Sequence, residues 1–274
     1  MSSYQILLNY QKRINKEISR FFAARIKRAR SSFEREVLGW LKEYSLRPAK
    51  RLRPVLVNLG YALAGGEGKK KILVTSIFIE LIHNYLLIHD DILDQDKLRR
   101  GKKTLHLLHG EDMAICAGDL ACALAYEILS SAKFPFDCRI RALEKLNRAL
   151  YFTGYGQMLE LELRRKKKSG KKISKNEVLD IYRHKTAFYT FVCPLQVGAS
   201  LAGADDLFLK KIEKFALPLG IAFQIQDDIK DNDVWPILNA EKLVAQAKRV
   251  LNSEKSFPRR EKQLLLDLAD YIVK

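Results

Sequence analysis

The chain has 274 residues, 47% of them hydrophobic, and the composition does not differ between its two halves. This uniform composition predicts a single domain over residues 1–274 and argues against two compositionally distinct domains. The formal net charge of +17 at pH 7 favours a polyanionic partner, which could be nucleic acid, an anionic membrane surface or a phosphorylated small molecule.

The cysteines lie far apart and include no C-x-x-C pair; they are Cys116, Cys122, Cys138 and Cys193. This spacing argues against a zinc site and a disulfide-stapled fold, and it favours a reduced, cytoplasmic protein. Residues 1–22 carry a charge every few positions, and the later apolar stretches are interrupted well before about 18 residues. We therefore expect neither a signal peptide nor a membrane-spanning helix.

Apolar residues recur at intervals of three and four along the chain, which contains only 7 prolines and 14 glycines. This periodicity, without any sustained alternation, predicts an all-α fold. Clusters of turn-forming and charged residues delimit about eight to ten helices. The expected breaks are residues 46–54, 64–68, 98–103, 133–137, 164–174, 202–206 and 232–236.

The stretch IELIHNYLLIHDDILD, residues 79–94, puts three aspartates into an otherwise apolar helical pattern. They are Asp90, Asp91 and Asp94. The apolar face continues through the acids, so an ordinary solvated helix surface does not explain them. The carboxylates therefore need a partner.

A basic run, RRKKKSGKKIS, occupies residues 164–174. It ends at Ser174, which together with Glu177 forms the capping-box pattern at the start of a helix. The simplest interpretation of the run is a solvated loop. A weak contact with an anionic membrane or with nucleic acid is the alternative.

The stretch FQIQDDIKD, residues 223–231, repeats the D-D-x-x-D spacing after another apolar segment, with Asp227, Asp228 and Asp231. On a helix, the outer aspartates of such a cluster lie one turn apart on one face, and the middle one lies about 100° away. Burying unpaired carboxylates is costly, so each cluster predicts a divalent cation. Oxygen ligands favour magnesium, which typically bridges carboxylates to substrate phosphates, so the two clusters together predict a metal-bound diphosphate.

Several segments, in chain order, resemble motifs of the trans-isoprenyl diphosphate synthases: AKRLRPVL, LIHDDILDQDKLRRG, GEDMAICAGDLACALAYEIL, GQMLEL, YRHKTAFYTFVCPLQVGA and FQIQDDIKD. The first has alanine in place of the second glycine of the family's G-G-K-R-x-R-P segment. The resemblance implies a homodimer of antiparallel helix bundles, in which the aspartate clusters face each other across a central cavity. It also implies an enzyme that condenses isopentenyl diphosphate with an allylic diphosphate, uses Mg²⁺ and binds no nucleic acid.

The resemblance assigns roles to individual residues. The six aspartates are expected to hold the magnesium ions and, with Lys185, to be catalytic. Isopentenyl diphosphate is expected to contact Lys50, Arg53, His83 and Arg100. The allylic substrate is expected to contact Arg99, Lys185, Thr186 and Gln224. Two diphosphates need many cationic or hydrogen-bonding donors, and these residue types supply them.

Product length is expected to depend on Tyr85, five positions before Asp90. An aromatic residue here, followed by Leu86 and with no insertion inside D-D-x-x-D, resembles the archaeal geranylgeranyl type of the family. A bulky ring one helical turn below the metal site is a plausible floor for the growing chain. This implies a product of twenty carbons, with fifteen carbons as the alternative.

The chain departs from the family after Asp231, where a G-K-x-x-G-x-D-L-x-x-G-K-x-T stretch normally follows. We therefore expect a deletion after about residue 231. A non-catalytic or weakly active partner subunit of a prenyl synthase complex is a second hypothesis, although both aspartate clusters are intact. A basic helical nucleic-acid binder rests on charge alone, because residues 164–172 contain no aromatic side chains for stacking. A related terpene cyclase is a further alternative, and the second complete D-D-x-x-D argues against it, because cyclases usually lack this motif.

Overall fold

The computed structural model of the protein describes residues 3–230 and 239–272. Within these ranges the chain forms thirteen α-helices, one π-helix and a two-stranded antiparallel sheet. The predicted all-α fold is confirmed. Contacts along the chain group into two compact units, Met1–Val55 with Gly68–Lys133, and Leu56–Glu67 with Phe134–Lys274. The single domain with a deletion stays a prediction.

The helices and strands divide between the units as follows. The first unit contains α1 (Ser3–Arg28), α2 (Ser32–Leu46), the start of α3 (Leu52–Leu63), α4 (Lys69–Thr75), α5 (Phe78–Leu93), β1 (Leu98–Arg99), β2 (Lys102–Lys103), α6 (Leu105–His109) and α7 (Glu111–Ser130). The second unit contains the rest of α3, α8 (Phe136–Lys168), α9 (Lys175–Ile181), the π-helix (Tyr182–Val192), α10 (Cys193–Leu201), α11 (Asp206–Lys230), α12 (Ala240–Ser253) and α13 (Arg259–Ile272).

Most expected helix breaks lie where the chain leaves a helix. The break at 98–103 is a β-hairpin, and α8 continues into the basic run as far as Lys168. The break at 232–236 lies outside the described residues. The sequence did not indicate the short interruptions at residues 29–31, 76–77, 110 and 254–258. The expected number of helices was therefore wrong, because the described ranges alone hold more.

The first unit is held together by apolar helix faces. On α1, Ile14, Ile18 and Phe22 recur every four residues and are fully buried. The α5 and α7 helices pack closely, since a Cβ on Gly118 of α7 would lie only 2.6 Å from Nε2 of His89 on α5. This close approach fixes the end of α5 that carries the first aspartate cluster.

The hairpin in the first unit pairs Arg99 with Lys102 across a two-residue turn. The turn residues, Arg100 and Gly101, have φ values of +55° and +78°. Positive φ at both positions is typical of the tight turns that match the twist of paired strands. Arginine rarely adopts this conformation, so the surrounding contacts must hold Arg100 in place.

In the second unit, two glycines let the π-helix approach its neighbours. A Cβ on Gly156 of α8 would overlap the backbone of Lys185, 2.9 Å from its Cα, and one on Gly220 of α11 would lie 2.5 Å from the Cα of Ala187. Only glycine fits such distances without displacing the backbone. The π-helix therefore lies close against both α8 and α11, and π-helical segments are often found at functional sites.

The basic run ends in the expected capping box. The Ser174 hydroxyl accepts a hydrogen bond from the backbone N–H of Glu177, and the Glu177 carboxylate accepts one from the N–H of Ser174. Lys166 also donates to Glu177 at 2.6 Å. Together with the capping bonds it lowers the pKa of Glu177 to about 2.

Two described stretches, Lys69–Leu93 and Glu111–Ser130, are long and apolar enough to cross a membrane by length and composition alone. In their most apolar windows, 67% and 39% of the residues are buried inside the protein. Core helices have the same character, and the absence of a membrane span stays a prediction. All four cysteines are free thiols, as expected.

Candidate active site

The middle aspartate of the first cluster points into the protein. Asp91 is 1% exposed, and its Oδ1 accepts a hydrogen bond of 2.6 Å from Nε of Arg99. Its Oδ2 accepts one of 2.9 Å from the hydroxyl of Tyr44 on α2. Burial raises the pKa of Asp91 against the opposing effect of Arg99, and burial beside Asp91 raises that of Tyr44. Both oxygens of Asp91 are thus engaged by protein donors.

The outer aspartates of this cluster have the predicted helical spacing. The backbone N–H of Asp94 donates to the carbonyl of Asp90 at 2.8 Å, so the two residues lie one turn apart at the end of α5. Both side chains are half-buried. The outer pair therefore lies on one face of the helix, as the D-D-x-x-D spacing predicted.

A cluster of arginines surrounds His83. The guanidinium of Arg53 lies 3.2 Å from Nε2 of His83. Burial lowers the pKa of His83 far below its usual range, and the charges of Arg53 and Arg100 lower it further. Because arginine can only donate, Nε2 of the neutral His83 accepts this bond and the ring proton lies on Nδ1.

Arg100 carries a buried donor that no described group accepts. Its Nη1 is buried without a hydrogen-bond partner. Burial lowers the pKa of Arg100, the charge of Glu80 opposes this shift, and the charges of Arg51 and Arg53 add to it. An unsatisfied guanidinium among other cations is suited to binding an anion.

Sequence reasoning missed the role of Arg51, which supports this cluster. Its buried guanidinium pairs with Glu80 at 2.6 Å and donates to Oδ1 of Asn15 at 2.8 Å. It also donates to the carbonyls of Ser45 and Arg47. In the sequence AKRLRP, nothing distinguishes Arg51 from the neighbouring basic residues. The predicted ligand Lys50 is exposed, whereas Arg99 pairs with both Asp91 and Asp96.

In the second unit the structure brings three predicted residues together. Oδ1 of Asp228 accepts a 2.6 Å hydrogen bond from the amide of Gln224, whose Oε1 accepts one of 2.5 Å from the Thr186 hydroxyl. Oδ2 of Asp228 accepts a bond from Tyr182, which the sequence reasoning missed. The middle aspartate again has a tyrosine on one oxygen and an N–H donor on the other. Asp227 is half-buried, and Asp231 lies outside the described residues.

Lys185 has an acidic partner on α8. Its ammonium pairs with Glu160, which also accepts a 2.8 Å hydrogen bond from Arg164. Burial opposes ionisation of Glu160, but the two cations outweigh it and lower its pKa. Glu160 lies within GQMLEL. In the sequence, its role is indicated only by the presence of an acidic residue on a helix face that is otherwise buried. Lys185 is therefore positioned by a buried carboxylate.

Tyr85 lies on α5 where this helix meets α7. Its ring centroid is 4.8 Å from that of His89. Burial raises its pKa, and the nearby Cys122 and Asp119 of α7 raise it further. The residue is thus packed one turn before the first aspartate cluster, and its effect on product length stays a prediction.

Across residues 3–230 and 239–272, no group of three or more histidine, cysteine, aspartate or glutamate side chains is arranged to hold a metal ion. Magnesium does not require such a cage, since it keeps several waters and binds through one or two carboxylates plus substrate phosphates. Asp90 and Asp94, one turn apart, fit that mode of binding. The donor set of the first cluster is therefore suited to a hydrated magnesium ion.

The helical fold and the two D-D-x-x-D clusters define an isoprenyl-synthase type of protein. Residues 35–234 match the polyprenyl synthetase family, and the chain belongs to this family. A solved FPP/GFPP synthase from Zymomonas mobilis has a TM-score of 0.86 and 29% identity to the chain, with 100% of each chain covered. The family resemblance is confirmed.

Two curated relatives are similar in sequence. Geranylgeranyl diphosphate synthase of Sulfolobus acidocaldarius is 37% identical over 182 residues, which are 66% of this chain and 53% of that protein. Farnesyl diphosphate synthase of Geobacillus stearothermophilus is 38% identical over 196 residues, 69% of this chain and 64% of that protein. The chain thus spans between half and two thirds of the length of these relatives.

Proposed function

We propose that this protein is a trans-prenyltransferase that condenses isopentenyl diphosphate with an allylic diphosphate by head-to-tail elongation. The observation that carries the proposal is the pair of D-D-x-x-D clusters in a chain of the polyprenyl synthetase family. The names of the relatives, geranylgeranyl and farnesyl diphosphate synthase, agree with this chemistry. We also propose that the protein acts in the cytoplasm as a homodimer.

Isopentenyl diphosphate is proposed to bind at the arginine cluster of the first unit. Arg53 and Arg100 supply fork-shaped donors that suit a diphosphate, and Lys50 adds an exposed cation. The buried Nη1 of Arg100, which has no partner among the described residues, supports an anion at this position. Burial and the neighbouring charges of Arg53 and Arg100 lower the pKa of His83, so its ring is neutral in the protein without substrate.

The allylic diphosphate is proposed to bind through magnesium and a second set of donors. Asp90, Asp94, Asp227 and Asp231 are the proposed ligands, while Asp91 and Asp228 orient the surrounding donors. The contacts of the allylic diphosphate are Arg99, Lys185, Thr186 and Gln224. Magnesium, when bound, would neutralise part of the charge on the departing diphosphate.

The proposed reaction is electrophilic. Arginine and lysine side chains stabilise the departing diphosphate, so the allylic carbon ionises toward a carbocation. The double bond of isopentenyl diphosphate attacks this carbon to form the new carbon–carbon bond. A proton then leaves to the released diphosphate and restores a double bond. The chemistry requires no protein nucleophile.

The proposed product is geranylgeranyl diphosphate, with farnesyl diphosphate as the alternative. The packed ring of Tyr85, one turn before the first cluster, supports a floor that stops elongation. A non-catalytic or weakly active partner subunit is the second candidate function. The names of the relatives, geranylgeranyl and farnesyl diphosphate synthase, favour the enzyme over this second candidate.

Incubation of the purified protein with Mg²⁺, isopentenyl diphosphate and dimethylallyl, geranyl or farnesyl diphosphate tests the proposal. Elongated products that disappear when Mg²⁺ is chelated are the expected result, and their size identifies the product. No product from any primer at saturating substrate and Mg²⁺ would favour the partner subunit.

A further inference from the structure

Arg47, at the end of α2, is a fully buried arginine that belongs to none of the predicted substrate contacts. Its side chain is 1% exposed. Nη2 lies 2.9 Å from Oε2 of Glu43, and Nε lies 3.0 Å from the same oxygen. A buried guanidinium is costly unless its donors are satisfied. Its remaining partners therefore indicate what this side chain is for.

Those partners are the two strands of the hairpin. Nη1 of Arg47 donates to the carbonyl of Arg99 on β1 at 3.3 Å, and Nη2 donates to the carbonyl of Lys103 on β2 at 3.0 Å. The strands are only two residues long each, so few ladder hydrogen bonds hold them together. One rigid guanidinium fork bridging both strands adds two charge-assisted bonds to this short ladder.

The same guanidinium is also linked to the first aspartate cluster through Tyr44. Its central carbon lies 4.6 Å from the ring centroid of Tyr44, whose hydroxyl donates to Asp91. Asp91 in turn accepts a hydrogen bond from the Arg99 side chain. Arg47, Tyr44, Asp91 and Arg99 thus form a closed ring of contacts that links α2, α5 and β1.

The turn of this hairpin needs such support. Arg100 holds φ at +55°, a conformation that costs an arginine free energy unless its surroundings impose it. Its guanidinium is at the same time the buried donor that no described group accepts. A hairpin free to relax would release both the backbone conformation and the orientation of that donor.

We propose that Arg47 is a positioning residue, which clamps both strands of the 98–103 hairpin and so presents Arg99 and Arg100 to a diphosphate. The residue acts through the backbone carbonyls of the hairpin and does not itself touch substrate. The inference rests on the proposed function for the identity of the anion, whereas the clamp itself concerns the protein alone.

The test compares Arg47→Lys with Lys102→Met. Lysine keeps the charge, but a single ammonium does not span both carbonyls and Glu43 as a guanidinium does. Lys102→Met removes the 2.8 Å contact of Lys102 with Glu43 on the exposed side of the same network, and it leaves both carbonyl contacts of Arg47 in place. Glu43→Gln, which removes the negative charge that holds the Arg47 guanidinium, serves as a second variant if Arg47→Lys does not fold, and it should change hairpin exchange and pyrophosphate affinity in the same direction but by less.

Two measurements apply to each variant. Hydrogen–deuterium exchange without substrate reports the opening of residues 97–104. Titration with inorganic pyrophosphate, together with the KM and kcat for isopentenyl diphosphate, reports the anion site. In Arg47→Lys, hydrogen exchange should be faster in residues 97–104 alone. Pyrophosphate affinity should fall about tenfold, as expected when an arginine of the displaced hairpin loses its charge-assisted contact with the anion. KM should rise more than kcat falls, and Lys102→Met should match the wild type.

Unchanged exchange in the hairpin of Arg47→Lys, or faster exchange spread evenly over α1 and α2, would overturn the clamp. Faster exchange in the hairpin without any change in pyrophosphate affinity or KM would overturn its positioning role. If the wild type neither binds pyrophosphate nor turns over, the proposed function fails, while the exchange data still decide the clamp.

Discussion

Tyr44 and Asp91 are joined by a hydrogen bond of 2.9 Å between the phenol hydroxyl and Oδ2 of the carboxylate. The other oxygen of Asp91 accepts from Arg99, and the carboxylate is almost fully buried. Asp228 repeats this arrangement in the second unit with Tyr182 and Gln224. In both clusters the middle aspartate is therefore held in place by protein donors on both of its oxygens.

Asp91→Asn should lower the free energy of unfolding, because it removes the negative partner of Arg99 inside the protein. A loss of about 1.5 to 3 kcal/mol is expected for a charge-assisted bond. Urea unfolding followed by circular dichroism measures it. A stability equal to that of the wild type would contradict an anchoring role for Asp91.

Asp90→Asn should lower activity strongly and stability only a little. It removes a proposed metal ligand that is half-buried at the end of α5, so turnover should fall by about a hundredfold or more. Unfolding should change less than in Asp91→Asn, which serves as the comparison. Wild-type turnover in Asp90→Asn would exclude metal binding by this carboxylate as a requirement for catalysis.

Stability should decrease in acid because of His83. Its folded-state pKa lies well below the ordinary value of 6.5, owing to burial and to the neighbouring arginines. The unfolded chain accepts the proton first, so the stabilisation is complete above about pH 6.5 and is lost as the pH falls through the folded pKa. The slope reaches at most about 1.4 kcal/mol per pH unit.

His83→Gln cannot gain this charge, so its free energy of unfolding should decline less between about pH 6.5 and pH 5. Removal of another histidine from the same unit, His109→Gln, controls for general effects of the substitution. A decline as steep as in the wild type would show that other groups cause the acid sensitivity.

Local sequence patterns predicted the helical fold and the spacing of both clusters, because these depend on neighbours within a few turns. They could not identify Tyr44 or Glu160, which meet Asp91 and Lys185 from 47 and 25 residues away. The break at residues 98–103 was predicted, but the positive φ at Arg100 was not, since asparagine or aspartate before glycine is the usual signal of such a turn. Whether an aspartate of a cluster points into the protein depends on such distant partners. The periodicity of the local sequence does not reveal them.

Tyr85→Ala should lengthen the product, because it removes the ring packed one turn before the first cluster without removing a proposed metal ligand. Chromatographic sizing of the products from a common primer measures the change. The substitution can destabilise the protein by about 3 kcal/mol, as loss of a packed aromatic does. Products must therefore be compared at a temperature where the variant is folded, and an unaltered distribution would assign chain length to another residue.

Gly156→Ala should disturb the site in the second unit through packing alone. A Cβ at this position would overlap the backbone of Lys185, so the π-helix must shift away from α8. Overpacking of this kind costs about 1 to 3 kcal/mol. Since Lys185 and Thr186 are proposed contacts of the allylic diphosphate, the KM for that substrate should rise more than the KM for isopentenyl diphosphate.

Gly154→Ala provides the matched control two residues earlier on α8. A Cβ at this exposed position meets nothing within 4 Å, and alanine favours a helix over glycine by about 0.5 to 1 kcal/mol. This variant should be slightly more stable than the wild type, with both KM values unchanged. Chemical unfolding and steady-state kinetics on the two variants give all the required values. An equal rise of both KM values in Gly156→Ala would contradict a specific link between the π-helix and the allylic substrate. A loss of folded protein is distinguished from both outcomes, because it lowers the apparent kcat and leaves the KM values unchanged.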